Sequence, residues 1–257
     1  MSRWIFCLAL LVALPAGGDE AQHATWDYGP NGPERWAELS EDWWLCGEGY
    51  HQSPIDLSDW SIGKGDVWSS EYRPTTLEIA HTEHVVDIVD NGHTIQVTYD
   101  MGSTLTVDGK PYELKQFHFH APSEHTVEGE HYPVEMHLVH ASKDGALAVG
   151  GIFFAEGPRN PSFDPLIEGL PDAPGESVHF ENVTIHIDEF LPEHDFAWYY
   201  QGSLTTPPCT EGVTWLVAHQ PVRMSAEQIE AFTSRLSGTN RPTQPRNGRR
   251  ITAERVE

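Results

Sequence analysis

A mainly β, single-domain fold is predicted by three observations. Two stretches alternate with period two, Gln116-Phe117-His118-Phe119-His120 and Glu135-Met136-His137-Leu138-Val139-His140, the pattern of half-buried strands. The chain from Thr76 to Val107 is rich in β-branched residues and broken by turn-forming pairs. Only Ser225 to Leu236 carries a clear helical repeat.

In chain order, Met1 to Gly18 reads as a secretory signal peptide. Arg3 is followed by an apolar run from Trp4 to Leu14, too short to span a membrane, and then by Pro15 and small residues. Cleavage after Gly18 leaves 19–257 as the mature chain, exported to the periplasm or secreted, and removes Cys7. Two cysteines then remain, Cys46 and Cys209; in an oxidising compartment an even pair suggests one disulfide, with two buried thiols as the alternative. Trp26 to Trp36 has no period and reads as an arm whose aromatics pack on the main body. Gln52 to Asp56 is extended or turn, because the residue before Pro54 avoids helix.

Strands are then expected around Leu77 and Ile79, over His84 to Val89, and from Ile95 to Tyr99 after an Asn91-Gly92 turn. Further strands are expected from Thr104 to Val107 and from Leu147 to Phe154, and at Val183, Ile185 and Ile187, Val213 to Val217. A short helix is expected around Leu166. In the last helix Ser225 caps, Gln228 stands three residues on, and Ile229, Phe232 and Leu236 form one face. Asn240 to Arg250 reads as irregular. No linker divides the chain.

The two alternating stretches carry the chemistry. Gln116, His118 and His120 share one strand face, Glu135 and His137 another. Imidazoles at i and i+2 lie roughly 6–7 Å apart along a strand and can converge on one cation. A third His from a neighbouring strand gives three ligands and an open position, the catalytic zinc pattern, whereas structural zinc is held by four. Gln116 and Glu135 each stand two residues before a His, placed to accept its second N–H. A histidine-rich strand pair without metal is the plainer alternative. His93, after Asn91-Gly92, reads locally as a solvated turn residue. The charge is strongly acidic, 39 Asp+Glu against 15 Lys+Arg, which argues against nucleic acid and anionic membrane surfaces.

From Trp26 to about Arg249 the chain carries Gln52-Ser53-Pro54-Ile55-Asp56, Asn91-Gly92-His93, the Gln116 to His120 stretch and Ser123-Glu124-His125-Thr126-Val127. It also carries the Glu135 to His140 stretch, Ser203-Leu204-Thr205-Thr206-Pro207-Pro208-Cys209 and Arg241-Pro242-Thr243-Gln244-Pro245. In this order they resemble the alpha-class carbonic anhydrases. The resemblance implies a large, twisted, mostly antiparallel central sheet with a few short helices. It implies a zinc lyase that reversibly hydrates carbon dioxide to bicarbonate and a proton, by attack of zinc-bound hydroxide. His118, His120 and His137 match the zinc ligands, with Gln116 and Glu135 behind His118 and His137. Thr205 matches the residue that orients the hydroxide and donates its proton to Glu124, and His93 matches the proton shuttle. Val139, Val149, Leu204, Thr205, Thr206, Val213 and Trp215 match the substrate-binding surface, and Cys46 and Cys209 a disulfide of secreted members. Asp27 stands where the family usually has Gly, and Ala121 where animal members carry Trp; neither falls on a predicted site residue. Two rivals share these residues: a zinc-dependent esterase, also conceivable as a side activity, and a zinc-binding or adhesion module without turnover. A homodimer is left open.

Overall fold

A computed structural model describes residues 25–71, 75–77, 88–90, 93–98, 102–178, 183–192 and 196–256. The predicted leader, Ile79, Tyr99, the Asn91-Gly92 turn and most of the predicted 84–89 strand lie outside these residues.

Among the described residues, a sheet of 12 strands organises the chain. Most neighbours are antiparallel; the exceptions are Ser61–Glu71 with Thr252–Val256, and Leu147–Glu156 with both Glu211–Ala218 and Val222–Met224. At its centre lies Lys110–His120. One edge of this strand pairs with Thr104–Val107 in its first half and Ile95–Thr98 in its second, and the other edge with Val134–Ala141. That last strand pairs in turn with Leu147–Glu156. The two histidine-bearing strands therefore have neighbours on both sides, which holds their register.

Register decides which face becomes core. Phe117 and Phe119 point, with Met136 and Leu138, into the larger apolar cluster, where Phe154, Phe190 and Phe232 meet them. The alternate residues must then face the opposite side, since side chains alternate along a strand. A second cluster on that side gathers Val149, Val213, Trp215 and Val217, with Val139 and Leu204 packed against it. The helix Ala226–Leu236 closes the first cluster with Phe232 and Leu236, and carries the expected capping box between Ser225 and Gln228.

Three elements differ from the sequence reading. Ser61–Glu71 is an 11-residue strand although it contains two glycines, a lysine and an aspartate and has no alternation; pairing on both edges overrides its weak propensity. The arm contains two short helices, Trp36–Leu39 and Leu45–Glu48. The strand around Val183 stops at Ile185, and Ile187–Phe190 turns into a 3-10 helix.

The arm is tied down by a disulfide between Cys46 and Cys209 and by one arginine. Arg241, almost fully buried, donates from Nη1 to Gln52 Oε1 and Ser53 O, and from Nη2 to Cys46 O, each at 2.8 Å. Its guanidinium also lies over the Trp36 ring. Burial pushes its pKa down to about 10, against the pull of Glu124. Arg241→Met abandons three buried oxygens, each costing roughly 1–3 kcal/mol, so a loss of about 3 kcal/mol or more is expected. Urea unfolding with the disulfide intact measures this; a loss below about 1 kcal/mol, typical of a surface change, would contradict the assignment.

Candidate metal centre

The strand pair places His118 directly opposite His137, and His120 opposite Glu135. The ring centroids of His118, His120 and His137 are 4.7–5.2 Å apart. Each offers one nitrogen to a common point, these atoms lying within 4.8 Å of one another. The other nitrogen of each is occupied. His118 Nδ1 donates to Gln116 Oε1 at 2.8 Å, and His137 Nε2 to Glu135 Oε1 at 2.9 Å. His120 Nδ1 donates to the carbonyl of Thr239, just beyond the last helix. These bonds set the tautomers, leaving Nε2 of His118 and His120 and Nδ1 of His137 to face inward.

The set fits a cation better than an empty polar cavity. His120 Nε2 is buried with no hydrogen-bond partner among the described residues, and so is Glu124 Oε2. That oxygen stands 3.7 Å from His120 Nε2 and 3.8 Å from His137 Nδ1, beyond hydrogen-bond range of both. Buried groups of this kind are costly to leave unpaired, and three imidazole nitrogens match zinc among the common metals. Burial lowers the pKa of His118 and His120, and the neighbouring imidazoles act in the same direction. For His137, burial is outweighed by Glu135, and its pKa rises. His140, on the opposite face, is held to about 4 by burial and stands apart from the cluster.

Glu124 belongs to the predicted site and lies beside it. Its Oε1 accepts from the Arg241 amide at 2.8 Å. Thr205 is buried in the loop between Phe196–Ser203 and Glu211–Ala218. This loop is pinned by Leu204 N donating to Thr210 O and Cys209 N to Thr206 O. Trp215 packs edge-on to His137 with 4.8 Å between centroids, so the Val139, Val149, Leu204, Val213 and Trp215 wall borders the histidines. His93 is half-buried, not a solvated turn residue, and stacks on Trp26 at 3.8 Å. It immediately precedes the Ile95–Thr98 region, in which Gln96 pairs with His118. Burial lowers its pKa, while Asp27 and Asp90 act to raise it.

Sequence reasoning gave no role to His125, Tyr200 or Ser53. Together they form a buried relay behind the ligands: Ser53 Oγ to Tyr200 OH at 2.9 Å, Tyr200 OH to His125 Nε2 at 2.7 Å, and His125 Nδ1 to Glu135 Oε1 at 2.7 Å. Ser53 and His125 stand in two of the quoted motifs, Gln52 to Asp56 and Ser123 to Val127, and nothing in the sequence marked Tyr200. Thr239 was invisible, because the group it contributes is a backbone carbonyl.

Glu135→Gln keeps the volume but removes the charged acceptor of His137, so metal affinity should fall about 10–100-fold. His118→Ala should abolish tight retention. Competition of the metal-loaded protein against a chelator reads both, and unchanged retention in either variant would remove that residue from the site.

Residues 31–255 match the family model for eukaryotic-type carbonic anhydrase. A carbonic anhydrase from Nostoc sp. is 40% identical over 237 residues, covering 90% of this chain and 86% of the relative. One from Pectobacterium carotovorum is 39% identical, covering 95% and 96%. Among solved structures, the alpha-carbonic anhydrase of Thermovibrio ammonificans, in complex with the inhibitor sulfanilamide, superposes with a TM-score of 0.80 at 42% identity, covering 89% of this chain and 99% of that one. The chain belongs to the alpha carbonic anhydrase family.

Proposed function

We propose that this protein catalyses the reversible hydration of carbon dioxide to bicarbonate and a proton, with zinc held by His118, His120 and His137. The observation that carries the reading is the convergence of three imidazole nitrogens, each with its other nitrogen hydrogen-bonded. When bound, zinc lowers the pKa of a coordinated water far below that of bulk water, to about 7, a value known from carbonic anhydrases themselves.

The remaining work falls to this chain's residues. The substrate is apolar, so an apolar wall next to the histidines suits it better than hydrogen bonds would. Val139, Val149, Leu204, Val213 and Trp215 make that wall, with Thr205 and Thr206 at its rim. The Thr205 hydroxyl is assigned to accept a hydrogen bond from the attacking oxygen and to donate its own proton to Glu124 Oε2, an oxygen that no described residue, Thr205 included, hydrogen-bonds in this structure. The Thr205 amide contacts the bicarbonate formed. His93 carries the released proton to solvent: an imidazole titrates near neutral pH, and its ring stands outside the ligand set. Ester hydrolysis is a side activity of the same centre.

The site of action is outside the cytoplasm, with residues 1–18 removed as a signal peptide and 19–257 forming the catalytic domain. The Cys46–Cys209 disulfide supports an oxidising compartment. No helix among the described residues is long and apolar enough to cross a membrane. The acidic charge disfavours nucleic-acid partners.

Stopped-flow hydration with and without a chelator tests the reading. Activity lost with the metal and restored by zinc is expected; zinc binding without hydration would make the protein a binding module, and ester hydrolysis faster than hydration an esterase. Thr205→Ala should keep zinc and lose about 100-fold or more of the rate, as when an orienting hydrogen bond is removed, while Thr205→Ser retains most of it. Equal losses would point to the methyl group. His93→Ala should lower the maximal rate in weak buffer by about 10-fold or more, with recovery on adding imidazole. Failure of imidazole to restore the rate would make His93 structural.

A further inference from the structure

We propose that Asp27 is a positioning residue for the proton relay: its carboxylate folds residues 27–31 into the turn that holds Trp26 as the platform for His93. The inference rests on the reading of His93 as the relay. The two rings are stacked, with centroids 3.8 Å apart and planes within 15°. Trp26 is wedged edge-on between Trp36 and Tyr28, at 5.2 and 5.7 Å.

Asp27 fixes the chain immediately after that platform. Its Oδ1 accepts from the amides of Gly29 at 2.7 Å and Asn31 at 2.8 Å. Its own amide donates to Asn31 O, and its carbonyl accepts from Trp36 Nε1 at 3.0 Å. The turn is tight: a Cβ on Gly32 would come 2.8 Å from Gly29 O. Side chain and backbone of one residue thus join the turn to Trp36, which also packs against Trp26. Glycine, the usual family residue here, has no acceptor to close such a turn.

The consequence is mechanical. A relay group must return to one defined place at the mouth after each proton, and a stacked platform supplies that place. An aromatic pair contributes enough to shift a ring's distribution about 2- to 10-fold.

The test uses full-length, zinc-loaded Asp27→Ala and Asp27→Asn, with side-chain NMR of His93 beside hydration kinetics in weak buffer. Asn keeps an Oδ1 acceptor for both amides and lacks the charge; Ala keeps neither. Stacking on an indole moves the His93 ring protons upfield. Asp27→Ala should return them toward ordinary values and lower kcat about 2- to 10-fold, with kcat/KM and zinc content unchanged. Asp27→Asn should stay near the parent in all four. In a His93→Ala background, Asp27→Ala should add no further loss of kcat. Unmoved His93 signals in Asp27→Ala overturn the proposal, as do equal shifts in Ala and Asn, which would assign the effect to charge. Moved signals with unchanged kcat would overturn the relay reading of His93, and the proposal with it. A loss of zinc or of kcat/KM would overturn the proposal alone, making Asp27 a residue of the general fold.

Discussion

A single buried carboxylate is the interaction on which the centre depends. Glu135 has no exposed surface, and its two oxygens take four donors. Oε2 receives the amides of Glu124 and His125 at 2.8 and 2.9 Å, and Oε1 the side chains of His125 and His137 at 2.7 and 2.9 Å. Burial of an ionised carboxylate costs several kcal/mol unless it is met by such donors. Here burial is outweighed, and His125 and His137 hold the carboxyl well below its usual range. Space for it is made by Gly151 on the adjacent strand, where a Cβ would come 3.1 Å from Oε1. One group therefore aims His137, anchors the backbone of Glu124 and terminates the Ser53–Tyr200–His125 relay.

Around this hub the fold brings together distant parts of the chain. The disulfide closes a separation of 163 residues, worth about 5 kcal/mol in the chain-entropy model. It also joins the arm to the loop that carries Thr205. Arg241 connects the same regions through Gln52, Ser53 and Cys46, while its amide holds Glu124. Gln52 completes the link by donating to Cys209 O at 3.0 Å. The arm, the Thr205 loop and the C-terminal segment are thus tied directly to one another.

Much of the site was legible because a strand has period two. Once Phe117, Phe119, Met136 and Leu138 are assigned to a core, His118, His120, Glu135 and His137 have only the other face to occupy. The Ala226–Leu236 helix was legible for the same kind of reason, since Ser225 and Gln228 announce its start. Other parts could not be read from local pattern. Ser61–Glu71 is a strand by virtue of its neighbours, not its composition. Arg241 would ordinarily be placed on the surface, and its burial depends on carbonyls nearly 200 positions earlier. The stacking of Trp26 on His93 was equally hidden, because nothing in the sequence says that the two meet.

The bond from His120 to the carbonyl of Thr239 extends the centre far along the chain from its own strands. All three imidazoles belong to a strand pair encoded in the middle of the chain, and they can meet as soon as that hairpin-like unit forms. The second anchor of His120, like the amide that holds Glu124, arrives only with residues 239–241. Without residues 239–241 the three imidazoles would still share a strand pair, but His120 would lose the acceptor of its Nδ1 and Glu124 the amide that holds Oε1. The geometry of the centre is thus a property of the folded domain and not of the strand pair alone.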